Sequence, residues 1–83
     1  MSESPAGTIR RAAALMREQH GPDHVRHEFW HALAAWLETE ACNYDELAAG
    51  PYGAVGEAFV AGDFGGDVDP AIVVARAYLE ATP

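Results

Sequence analysis

The chain has 83 residues, 49% of them hydrophobic, enough for one domain and too few for two. Thirteen acidic residues face five arginines and no lysine, a formal net charge of −8. That surface repels phosphate, which argues against direct nucleic-acid or anionic-membrane binding and suits a basic protein partner or mimicry of nucleic acid.

The single Cys42 allows no intramolecular disulfide, and the default for a thiol with no neighbouring base is inert packing. No apolar run approaches the ~20 residues of a membrane span. The start Met1-Ser2-Glu3-Ser4-Pro5 lacks a basic-then-apolar leader pattern, so the expected compartment is the cytoplasm.

Residues 1–7 read as a short polar lead-in, expected to be mobile, ahead of a single helical domain over 8–83. Thr8 is the expected N-cap of a helix over about Ile9–Gln19, in which Ile9, Ala12, Ala13 and Met16 recur at helical spacing. Gly21-Pro22 should end it, and the same proline should open a second helix over about Asp23–Ala41. There Val25, Phe29, Ala32, Leu33, Trp36 and Leu37 form an apolar stripe that predicts the core-facing side.

Asn43-Tyr44-Asp45-Glu46 has the pattern of a capping box, which predicts a further short helix to about Ala49, stopped by Gly50-Pro51. Tyr52–Ala61 reads as a weak helix, because Gly53 and Gly56 each cost about 1 kcal/mol relative to alanine. Gly62–Asp67 reads as a loop, and its Asp63-x-x-x-Asp67-x-Asp69 spacing lacks the ligands of a calcium hand. Asp69-Pro70 then caps and opens a last helix through Ile72, Val73, Ala75, Tyr78 and Leu79. With no alternating pattern long enough for a sheet, the expected fold is all-α: a compact bundle of four or five short helices around Phe29, Leu33 and Trp36.

All four histidines fall within His20–His31. His24, His27 and His31 are spaced to share one narrow sector of the second helix, expected to face outward and opposite the apolar stripe. The segment His27-Glu28-Phe29-Trp30-His31 resembles the HExxH signature of the zincin metallopeptidases. That resemblance implies zinc as cofactor, His27 and His31 as ligands with His24 as a further candidate, and Glu28 as general base on the metal-bound water. Glu46 and Glu57 are both candidates for a third ligand, and the sequence does not choose between them. No His-x-x-Gly-x-x-His extension follows His31.

Three further pieces carry a longer resemblance. They are Thr8-Ile9-Arg10-Arg11-Ala12-Ala13-Ala14-Leu15-Met16-Arg17-Glu18, Phe29-Trp30-His31-Ala32-Leu33-Ala34-Ala35-Trp36-Leu37 and Val73-Val74-Ala75-Arg76-Ala77-Tyr78-Leu79. Together they resemble a group of small uncharacterised helical proteins of actinobacteria and their phages, which implies a shared helical scaffold and an accessory or mobile-element setting. The expected function is an acidic binding or regulatory module with a basic protein partner or a second copy of itself, with no catalytic residue. The alternatives are a small zinc-dependent hydrolase built on His27, Glu28 and His31, or a non-catalytic metal-binding protein.

Overall fold

The computed structural model describes residues 4–62 and 69–81, without the side chains of Ala54, Glu57 and Phe59. The first helix, α1, spans Pro5–Gln19. Ser4 is its cap: the side-chain hydroxyl accepts from Gly7 N at 3.1 Å, and Pro5 follows at the first helical position. Proline there loses a hydrogen bond that the helix could not have made. The helix therefore starts four residues before the expected Ile9, and Thr8 lies inside it, donating its backbone N–H to Ser4 O at 2.9 Å. His20 closes the far end, donating to Met16 O at 3.0 Å, and Gly21-Pro22 stops the helix as expected.

The second helix, α2, spans His27–Ala49 and differs from expectation at both ends. Residues 21–26 form successive turns, with His24 N bonded to Gly21 O at 2.9 Å and His27 N to His24 O at 3.1 Å. Asp23 and Val25 thus lie outside the helix, whose cap residue Arg26 makes no side-chain cap bond. At the other end α2 runs straight through the Asn43 capping pattern. Ala41 and Tyr44 continue the buried face begun by Ala34 and Leu37, and burial on one face outweighs a local capping preference.

Gly50 and Pro51 end α2, and α3 follows over Gly53–Val60. Its two glycines have separate reasons. Gly53 sits at φ +52°, where a β-carbon is strained, and a β-carbon on Gly56 would meet Tyr52 Cβ at 3.0 Å. The last helix, α4, spans Pro70–Ala81 and is capped as the sequence predicts, with Asp69 Oδ1 accepting from Ala71 N at 3.1 Å.

The protein is all-helical among the described residues, with no strand. The expected packing of four or five helices is corrected to a body of three, α1, α2 and α4, with the eight-residue α3 attached to α2. The count falls from five to four because α2 absorbs the segment expected to form its own helix, and to three in the body because α3 packs chiefly on α2. Arg10 bridges to Asp45 and Arg17 to Glu38, so α1 and α2 are antiparallel. No helix among the described residues is long and apolar enough to cross a membrane.

The core is Ala6, Ile9, Ala12, Ala13 and Met16 from α1, Ala34, Leu37, Ala41 and Tyr44 from α2, Ala61, and Ala71, Ile72 and Ala75 from α4. Eight of these thirteen are alanines, so the helix backbones can approach closely and the larger side chains are displaced to the margins. The expected core stripe is therefore out of phase. Phe29 is 58% and Trp36 38% exposed, and Val25 is almost wholly exposed. The buried face is turned from the predicted one by roughly one residue, or 100°.

Two substitutions test this core. Leu37→Ala, at a fully buried position, should lower unfolding free energy by about 2–5 kcal/mol in denaturant titration. The Tyr44 hydroxyl is buried and meets no acceptor at full hydrogen-bond geometry among the described residues, although the Asp69 carboxylate is near enough to interact with it. Burial, and then the nearby Asp69 carboxylate, push its pKa well above the ordinary tyrosine value. Tyr44→Phe should change stability by no more than about 1 kcal/mol in either direction, since it removes a buried, poorly satisfied hydroxyl together with its interaction with Asp69. A loss of more than that would show that the hydroxyl is satisfied after all.

Candidate functional site: the histidine turn and the outer face of α2

The turn between α1 and α2 gathers three of the four histidines through backbone geometry. The Arg26 backbone N–H donates to His24 Nδ1 at 3.2 Å, which leaves the ring proton on Nε2. His24 Nε2 then donates to His20 Nδ1 at 3.2 Å, His20 Nε2 to Tyr78 Oη at 3.1 Å, and Tyr78 Oη to Gln19 Oε1 at 2.5 Å. Every donor meets an acceptor only when both imidazoles are neutral. His20 also stacks on Trp30, ring centroids 4.0 Å apart and planes within 7°, so one ring joins α1, α2 and α4.

His27 and His31 come together one turn further on, with ring centroids 4.2 Å apart and planes tilted by 53°. His27 Nδ1 donates to the His20 carbonyl at 3.3 Å. His31 is placed differently. Its Nδ1 lies 3.4 Å from an Arg17 guanidinium nitrogen, and its Nε2 is buried with no hydrogen-bond partner among the described residues. Arg17 also pairs with Glu38.

The histidine sector thus turns toward α1, with His27 and His31 half-buried, where the sequence predicts a solvent-facing stripe. Glu28 stays exposed. His24 joins His20 and not the His27–His31 pair. Among the described residues, no three His, Cys, Asp or Glu side chains converge as they would to hold a metal ion. The guanidinium beside His31 also puts a fixed positive charge next to one of its two candidate donor atoms. Of the candidate third ligands, Glu46 lies at the opposite end of α2, and the Glu57 side chain lies outside the described residues.

Cys42, expected to pack inertly, is exposed, its Sγ 4.0 Å from an Arg10 guanidinium nitrogen. The Asp63–Asp67 loop falls outside the described residues. Sequence reasoning also missed the Gln19–Tyr78–His20–His24 relay. Its members span 59 positions, and only the fold brings Tyr78 to the α1 terminus.

The far side of α2 has a different character. Phe29, Trp36 and Leu47 are exposed along it, and Leu47 continues into an apolar groove of about 360 Å³ lined also by Tyr52, Val55, Gly56 and Val60. No lysine or arginine occurs between Arg26 and Arg76, whereas nine of the thirteen acids do. Five of those acids, Glu28, Glu38, Glu40, Asp45 and Glu46, lie on α2, with Glu38 and Asp45 paired to arginines of α1.

The relay sets a pH dependence. Burial, and next the positive form of His24, lower the His20 pKa below the ordinary imidazole value of about 6.5. The unfolded chain then binds the proton more readily, so His20 contributes nothing against folding above that value and opposes folding as the pH falls below it. Asp45, held below the usual carboxylate range by its hydrogen bond from Arg10, titrates outside this window. The wild-type melting temperature should fall between pH 7.5 and 5.5, and His20→Phe, which keeps a ring against Trp30, should show a smaller fall. An equal slope in both would remove His20 as the source. Comparison with known proteins finds no family model, no curated protein and no solved structure that matches this chain.

Proposed function

We propose that the chain is a small acidic helical binding module that acts by seating a basic protein partner on the outer side of α2. One observation carries this reading: alanine fills the core while Phe29, Trp36, Tyr52 and Val55 stand exposed. A small domain needs its large apolar side chains for its own stability. Leaving several outside, Phe29 and Trp36 on α2 and Tyr52 and Val55 beyond its end, is characteristic of a contact surface. The absence of any lysine or arginine from residues 27–75 supports a partner of opposite charge, since complementary potential steers encounter and rejects acidic competitors. Such a module suits an accessory role, including occupation of a basic surface that would otherwise meet nucleic acid.

Selection from a random displayed-peptide library tests the reading, with the full chain and a Phe29→Ser/Trp36→Ser double variant as targets. Enriched peptides should carry an excess of lysine and arginine. Their affinity should fall at least tenfold between 50 and 500 mM salt, as screening removes the charge term, and the double variant should not retain them. Peptides without basic bias, or held equally by the double variant, would overturn it.

A further inference from the structure

The exposed side of α2 has a regular internal spacing. Phe29, Leu33, Trp36, Glu40, Asn43 and Leu47 follow one another at intervals of four, three, four, three and four residues. This is the repeat by which one helix meets another along a shared seam. All six are exposed or half-buried, and the stretch from Phe29 to Leu47 is about 27 Å long at 1.5 Å per residue. The buried positions Ala34, Leu37, Ala41 and Tyr44 form the inward face of the same helix, and Leu33, half-buried against the core, sits on the border between the two. α2 is therefore amphipathic twice over, once toward α1 and α4 and once outward.

The outward seam is not uniformly apolar. Glu40 and Asn43 occupy two of its six places, with Glu46 alongside. A carboxylate at a seam position is costly to desolvate unless the facing side chain is cationic. That requirement distinguishes between occupants. A second copy of this chain would offer its own Glu40, Asn43 and Glu46, with no lysine or arginine on the whole of α2, so self-pairing leaves the carboxylate unmatched. A foreign helix with apolar anchors and one arginine or lysine in register matches it.

We infer that the outer seam of α2 receives a single amphipathic α-helix of about five turns. Its apolar residues meet Phe29, Leu33, Trp36 and Leu47, and a cationic side chain meets Glu40. The inference rests on the basic-partner reading above and adds the partner's secondary structure and register. Phe29 and Trp36 anchor one end. The groove beside Leu47, lined by Tyr52, Val55, Gly56 and Val60, takes a large apolar side chain at the other. The Glu40–cation pair fixes register and excludes acidic helices.

The test uses the full chain and three synthetic 21-residue peptides. The first has leucines at alternating three- and four-residue spacing, one arginine in the seam position facing Glu40, and lysines elsewhere. The second has the same composition in scrambled order with a central proline. The third is the first with its seam arginine replaced by glutamate. The first peptide should bind with micromolar affinity, gain helical circular dichroism and shift Trp36 emission to the blue. The scrambled peptide should bind at least tenfold more weakly. Trp36→Ala should cost tenfold or more.

Glu40→Arg should weaken the first peptide and restore the glutamate peptide, a swap that general charge attraction cannot produce. Because Glu40→Arg could disturb folding, its circular dichroism is compared with wild type, and Glu40→Gln provides a second variant that should abolish the preference between the arginine and glutamate peptides. If the scrambled peptide binds as tightly as the first, the basic-partner reading stands and the helical occupant is overturned. If neither binds, both fall. Sedimentation showing a dimer that Trp36→Ser abolishes would assign the seam to a second copy and overturn the inference.

Discussion

Close contact between α1 and α2, made possible by alanine on both sides, governs the rest of the structure. Ala6, Ile9, Ala12, Ala13 and Met16 of α1 and Ala34, Leu37, Ala41 and Tyr44 of α2 belong to one buried cluster, five of the nine being alanine. Small side chains bring two helix axes together, and they also decide which side of each helix is inward. Once Ala34 and Ala41 face α1, the phase of α2 is set. Phe29 and Trp36 must then lie outward, and the His27–His31 sector comes to the edge of the contact beside Arg17. The outward aromatics and the half-covered imidazoles are two results of one packing choice.

The elements of this fold were largely legible in the sequence, and the phase was not. Asp69-Pro70 announces α4, and the first coordinated donor, Ala71 N, is where that signature requires it. Ser4-Pro5 is the same kind of signature at α1, but Thr8, standing next to the first apolar repeat, gave a competing signal. Asn43 illustrates the opposite failure. Its capping pattern is sound local chemistry, but Ala41 and Tyr44 continue a buried face whose value depends on α1 and α4 and cannot be seen locally. The large apolar side chains of α2 point to one phase and its alanines to another, and the alanines mark the buried side. In a core built by close approach, the small residue marks the inside.

The site was legible only as a set of residue types. Four histidines within twelve positions were conspicuous, and His27 and His31 do meet across one turn. What surrounds them came from elsewhere in the chain: Arg17 from α1, Tyr78 from α4, and a backbone N–H at Arg26 that decides which nitrogen of His24 carries the proton. These neighbours split the row of imidazoles in two: His24 and His20 enter a directed chain of hydrogen bonds, and His31 lies beside Arg17. The outward seam of α2 was present in the sequence as a 4-3 spacing, but it overlaps the inward one at Leu33, and only the fold separates them.

An alanine-built interior with aromatics outside also bears on the thermodynamics of unfolding. The heat-capacity increment and the denaturant dependence both scale with the apolar surface newly wetted when a chain opens. Phe29, Trp36, Tyr52 and Val55 already meet water in the folded chain, so their contribution to that newly wetted surface is reduced. The stability of this protein should therefore vary with temperature along a flatter curve than a leucine-rich helical domain of equal length would show. Its unfolding transition in urea should also be broader.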